Sequence, residues 1–124
     1  MTIFTKPLAV VFYTNWFIRK WAAGLAIGPL VFIRPRAKED EGLLQHELVH
    51  VRQFWRTFGF HLIMYPLSKK YRLKSEVEAY CASLKYSQHS LDYFIEYFAE
   101  VIATKYRLKI TKEEAIELLR KCDA

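Results

Sequence analysis

His46-Glu47-Leu48-Val49-His50 places the residue types for metal-assisted hydrolysis at the spacing that chemistry needs. Two histidines four apart on a helix project from one face, a turn apart. Two imidazoles so placed can hold one zinc ion, and the carboxylate between them can reach a water on that ion and take its proton. Such a site needs a third protein ligand and an open position for water. In Ser75-Glu76-Val77-Glu78-Ala79-Tyr80, either Glu76 or Glu78 could supply a carboxylate, and His61 could supply a third imidazole. Hydrolysis also needs a group to stabilise an oxyanion, for which Tyr65, Tyr71 and Tyr80 are candidates. Outside such roles, Glu78 reads as a capping or surface carboxylate, and His61 and His89 as ordinary loop or surface histidines.

These residues need elements to position them. Residues 8–14 are β-branched and aromatic and read as a strand. Residues 15–23 are ambiguous and fit a short helix carrying Trp16 and Trp21. Gly24 and the pair Gly28-Pro29 punctuate a second extended region, and residues 30–33 read as a further strand ending at Pro35. After the charged loop 36–42, residues 43–57 form the helix that bears the histidines. Leu44, Leu48, Val51 and Trp55 make its core face, and His46 and His50 turn towards a cleft. Gly59 ends this helix or opens the loop after it, and Pro66 breaks any long helix in residues 60–74. A second helix runs from Ser75, as N-cap with Glu78 three residues on, to about Gln88. A third runs from Ser90 to about Arg107, with the apolar stripe Leu91, Phe94, Ile95, Phe98, Val101 and Ile102. Its aromatic stretch from Tyr93 to Phe98 is assigned to the core. Thr111-Lys112-Glu113-Glu114 is a capping box opening a last helix to about Lys121. The interval from His50 to Glu76 leaves room for the chain to reverse, as two facing antiparallel helices require. The fold class is therefore α+β, with a short N-terminal sheet before the helices, in one domain over residues 1–124.

Composition bounds the rest. About half the chain is apolar and a quarter charged, as in soluble globular proteins, and the many Tyr and Phe predict an aromatic-rich core. A formal charge of +6 admits an anionic partner without requiring one; pairs such as Arg19-Lys20 and Lys69-Lys70 read as solvated surface. No nucleic-acid-binding motif is present. Asn15, Arg19 and Lys20 interrupt the apolar run of residues 8–33, which argues against a membrane span. No secretory signal is evident, so a cytoplasmic location is expected. Cys81 and Cys122 form no CxxC pair and read as free thiols in a reducing compartment.

The motif followed by a helix bearing Glu-x-x-Ala resembles the gluzincin class of zinc metallopeptidases. The resemblance covers about residues 25–88 and implies a small zincin-like domain, with Zn2+ held by His46, His50 and Glu76 and with Glu47 as general base. Ala79 matches the small residue that lets two helices approach. Tyr80 stands where these families usually carry an Asp that hydrogen-bonds a zinc histidine. The strand 30–33 is similar to the edge strand along which such enzymes align an extended substrate. Metzincins are excluded, because Gln53 and Arg56 occupy the positions of their glycine and third histidine. The resemblance implies hydrolysis of a peptide or protein, a peptidoglycan stem peptide among the options, in a compact form similar to bacterial and phage proteins. Two other classes remain: a catalytically silent zincin-fold binding or regulatory protein, and a basic module for nucleic acid or membrane whose HExxH is accidental.

Overall fold

The computed structural model describes residues 8–86 and 91–122. The ends expected at Gln88 and Ser90, and His89, lie outside them. The architecture is α+β: a three-stranded sheet followed by five α-helices. Strands β1 (Val10–Tyr13), β2 (Gly24–Ile27) and β3 (Leu30–Ile33) lie in the order β1-β3-β2. β1 runs parallel to β3 with Val10 opposite Leu30, and β2 runs antiparallel to β3 with Gly24 opposite Ile33. Alternation along β3 sends Val31 and Ile33 to the buried face, where they meet Val51, Leu44 and Leu48 of α1 (Glu41–Arg56). The other face is aromatic, with Phe12 stacked on Phe32 at 5.4 Å and Phe17 against Phe32 at 5.4 Å.

The segment between β1 and β2 is irregular rather than helical. Arg34 explains why: its guanidinium donates to the backbone carbonyls of Asn15, Ile18, Arg19 and Ala22 at 2.9–3.3 Å, groups that a helix would have used itself. Phe17 sits at φ 71°, which also breaks helical geometry.

α1 starts two residues before the apolar pattern suggests, because Asp40 caps it by accepting from the Leu43 amide at 3.0 Å. At its end the Gly59 amide donates to the Phe54 carbonyl at 2.8 Å and the Phe58 amide to Trp55 at 3.1 Å. This is a Schellman closure in which Phe58, at φ 53°, takes the left-handed position usually given to glycine, and Gly59 follows. Trp55 is not core: it is half-exposed, its indole N–H donating to the Leu8 carbonyl.

Two short turns on, α2 (His61–Leu67) carries Pro66 in its last turn. α3 (Lys69–Leu84) is capped by Ser68, not by Ser75, which lies buried within the helix. Its start is hard to read because residues 69–74 are mostly basic and show no apolar period. α1 and α3 are antiparallel: the Ser83 hydroxyl near the end of α3 donates to Gly42 at the start of α1, and Gln53 near the end of α1 reaches Ser75. α4 (Leu91–Lys105) and α5 (Lys112–Arg120) pack on α3 around Leu84, Ile95, Ala99, Ile102, Ala115 and Leu119. The Thr111–Glu114 capping box is formed reciprocally.

Two expectations fail here. The largest fully buried side chains are mainly aliphatic, among them Ile33, Ile102 and Leu119, while Leu91, Tyr93 and Tyr97 of α4 are exposed. Phe94 and Phe98 are only partly buried against the helical core. The thiols of Cys81 and Cys122 are also not free: they form a disulfide tying α3 to the segment after α5. Among the described residues, no helix is long and apolar enough to cross a membrane.

Candidate metal centre

His46 and His50 project from one face of α1 with ring centroids 5.0 Å apart. Potential ligand atoms of His46, Glu47 and His50 lie within 4.8 Å of one another, and all three residues are buried. α3 adds Glu76, whose Oε1 stands 3.4 Å from Nε2 of His46 and whose Oε2 stands 3.4 Å from Nε2 of His50. Ala79, the small residue of the Glu-x-x-Ala pattern, is fully buried on α3. The structure thus brings together His46, Glu47, His50 and Glu76. Glu78 points elsewhere: it accepts from Gln53 and pairs with Arg56.

Glu76 Oε1 is buried and makes no hydrogen bond, which is costly for a carboxylate oxygen in the interior. Two imidazole nitrogens facing a carboxylate with one orphaned oxygen is a donor set that suits zinc, so the residues present fit such an ion. The charges of these groups are coupled to one another. Burial opposes ionisation of Glu76, but the His50 and His46 charges outweigh it and hold the carboxyl well below the usual range. Burial would lower the pKa of His50, yet the Glu76 carboxylate outweighs it and pushes the imidazole up to about 9.

His50 is held from behind by a network that sequence spacing did not point to. Gln53 Nε2 donates to Glu78 Oε1 at 2.9 Å and to the Ser75 carbonyl at 3.2 Å. Those two acceptors fix the amide orientation, so its Oε1 faces Nδ1 of His50 at 2.9 Å and accepts from it. The Ser75 hydroxyl donates to the same Oε1 at 2.6 Å and lies 3.2 Å from Nδ1. Nδ1 therefore carries a proton and Nε2 is turned towards Glu76. Gln53 thus does for His50 what an Asp at position 80 would be expected to do for a ligand histidine. Tyr80 itself lays its ring against His46 with centroids 4.3 Å apart, while its hydroxyl bonds Tyr106 at 2.8 Å.

The four residues line a cavity of about 170 Å³ whose opposite wall is β2, from Gly24 to Ile27. β3 is the central strand and β2 an edge, so the edge strand beside the cavity is β2, not residues 30–33. Gly24 permits the close approach: a Cβ there would meet Glu47 Oε2 at 3.0 Å and Leu43 Cδ1 at 3.1 Å. Glu47 is buried, and desolvation raises its pKa against the opposing pull of His46 and His50. His61 is not a surface residue. It is buried at the cavity wall, with Nδ1 bonded to the Tyr71 hydroxyl at 2.8 Å, and burial together with the nearby His50 charge lowers its pKa to about 4. Of the three tyrosines considered for an oxyanion, Tyr65 lines the cavity and donates to Glu76 Oε2. The hydroxyls of Tyr71 and Tyr80 are engaged with His61 and Tyr106.

Comparison with protein-family models, with curated proteins and with solved structures returned no match.

Proposed function

We propose that this protein is a zinc-dependent hydrolase of peptide bonds, built on a minimal gluzincin-like core with His46, His50 and Glu76 as ligands. The observation that carries the reading is the convergence of two imidazole nitrogens on a buried carboxylate with an orphaned oxygen, beside a second carboxylate that faces the same cavity. Zinc bound there would supply an acidified water and a Lewis acid. Glu47 accepts the proton of the attacking water and delivers it to the leaving nitrogen; its raised pKa suits a carboxyl that must hold a proton between those events. Gln53 and Ser75 hold the His50 ring with Nε2 forward. Tyr65, released from Glu76, donates to the oxyanion. An extended peptide adds to the free edge of β2, which places a carbonyl over the cavity. The Glu47 carboxylate beside the cavity favours this reading over a silent zincin fold, which has no use for a base there.

The test is zinc content with turnover. One zinc per chain is expected in the wild type, lost or weakened in Glu76→Ala. Glu47→Gln should keep zinc and lose cleavage of a quenched peptide library. A wild type that takes up no zinc when supplied with it, or a Glu47→Gln variant at full rate, overturns the proposal.

A further inference from the structure

A second cavity, of about 530 Å³, adjoins the metal-centre cavity and shares Arg19, Trp21, Tyr65, Pro66 and Tyr106 with it. Four of its lining residues are Arg19, Arg72, Lys105 and Arg107, and no carboxylate lines it. Arg72 is fixed in place: its guanidinium donates to the carbonyls of Tyr65, Pro66, Tyr106 and Arg107 at 2.8–3.3 Å, all neutral acceptors that leave its charge uncompensated. Arg107 is held at φ 57°, an uncommon conformation for a side-chain-bearing residue, with its carbonyl bound by Arg72. Among the described residues, no carboxylate pairs with Arg19, Arg72, Lys105 or Arg107, whereas Arg56 and Lys112 elsewhere do find acids. Four cations around one concavity repel one another, and an anion entering it removes that repulsion.

We propose that this cavity is an anion-binding subsite that takes a carboxylate of the peptide substrate, so that the hydrolase selects segments with an acidic group close to the scissile bond. The inference rests on the hydrolase reading above and adds the substrate class to it. Two features favour a peptide carboxylate over a polyanionic backbone. The four cations gather around one concavity rather than along an extended track, and Arg19 and Tyr65 belong to both cavities, so an anion held there sits next to the reacting centre. The carboxylate can come from an Asp or Glu side chain or from the peptide's own C-terminus.

The experiment measures binding to the full chain carrying Glu47→Gln, which prevents turnover. Three fluorescein-labelled decapeptides serve as probes: one central Glu with an amidated end, the same peptide with Gln and an amidated end, and the Gln peptide with a free end. The Glu or the free-end peptide should bind about tenfold or more tightly than the neutral one, with the advantage falling as salt rises, and whichever does so identifies the source. Arg19→Gln/Arg107→Gln should abolish that advantage. Lys38→Gln/Arg120→Gln, which removes the same charge away from the cavity, should leave it. Should the first pair unfold, as circular dichroism would report, Lys105→Gln replaces it. Equal binding of all three peptides, no binding of any, or an equal effect of both double substitutions overturns the proposal. Tighter binding of a single-stranded DNA decamer than of the acidic peptides overturns the peptide assignment. Zinc measured on the same samples keeps the two readings apart: zinc without charge selectivity sinks the subsite, and charge selectivity without zinc sinks the hydrolase.

Discussion

Replacing Gln53 by Leu keeps the volume of a buried side chain and removes every polar contact it makes. Nδ1 of His50 loses its nearest acceptor, at 2.9 Å, and the Ser75 carbonyl and Glu78 lose a donor. Glu78 keeps Arg56, and the Ser75 hydroxyl stays 3.2 Å from Nδ1, so the ring is not left without a partner. Loss of the group that orients a ligand histidine weakens metal binding by about 10–100-fold. The surviving Ser75 contact places Gln53→Leu near about tenfold, roughly 1.4 kcal/mol. Gln53→Leu/Ser75→Ala, which removes both partners, belongs near the upper end. The assay is zinc competition against a chromophoric chelator, with 15N shifts of the His50 ring in the zinc-loaded protein reporting which nitrogen carries the proton. Tyr80→Phe is the control. Its ring stays on His46 and only the bond to Tyr106 is lost, so stability falls by about 1 kcal/mol while zinc affinity holds. Unchanged zinc affinity in both Gln53 variants, with the fold intact, would refute the argument that Gln53 positions His50.

Gly24→Val should cut turnover more than it cuts stability, because the new side chain meets the Glu47 carboxylate and the wall of α1 at about 3 Å; peptide cleavage rates beside a thermal melt check this. Cys81→Ala/Cys122→Ala removes a cross-link across a sequence separation of 41, worth about 4 kcal/mol by loop entropy, which urea unfolding would read. The same disulfide predicts no free thiol in protein denatured without reductant; two thiols would restore the reducing-compartment expectation. Thr111→Ala opens the reciprocal cap of α5 and should cost about 1 kcal/mol in the same urea assay.

What was legible in the sequence is what a single helix encodes. His46, Glu47 and His50 share a face because of their spacing, and Thr111 and Glu114 cap each other for the same reason. Glu76 was legible only through its likeness to a known pattern, since nothing in residues 75–80 alone separates it from Glu78. The parts that escaped depend on partners far along the chain. Ser75 looks like a cap because a serine with a Glu three residues on usually is one; it is interior because its hydroxyl has a partner on α1. Cys81 and Cys122 look unrelated until α3 and α5 pack together. Strand order has no signature in period-two alternation, so nothing marked β2 rather than β3 as the edge.

Gln53 shows the general reason most sharply. In sequence it is the residue that excludes a metzincin, a polar side chain at a position another family gives to glycine. Its role exists only because α3 supplies a carbonyl and a carboxylate for its amide nitrogen, which leaves the amide oxygen one direction to face. The same logic separates the two clusters of charge in the molecule. Arg56 and Glu78 pair with each other, and Glu78 also accepts from Gln53, so removing either would act on the His50 ring through Gln53. The side chains of Arg19, Lys105 and Arg107 pair with no carboxylate among the described residues, and the fold holds them at the rim of the cleft. Charges already paired within the fold serve its structure, whereas cations gathered around a concavity without a carboxylate repel one another until an anion enters, which is the role proposed for the second cavity.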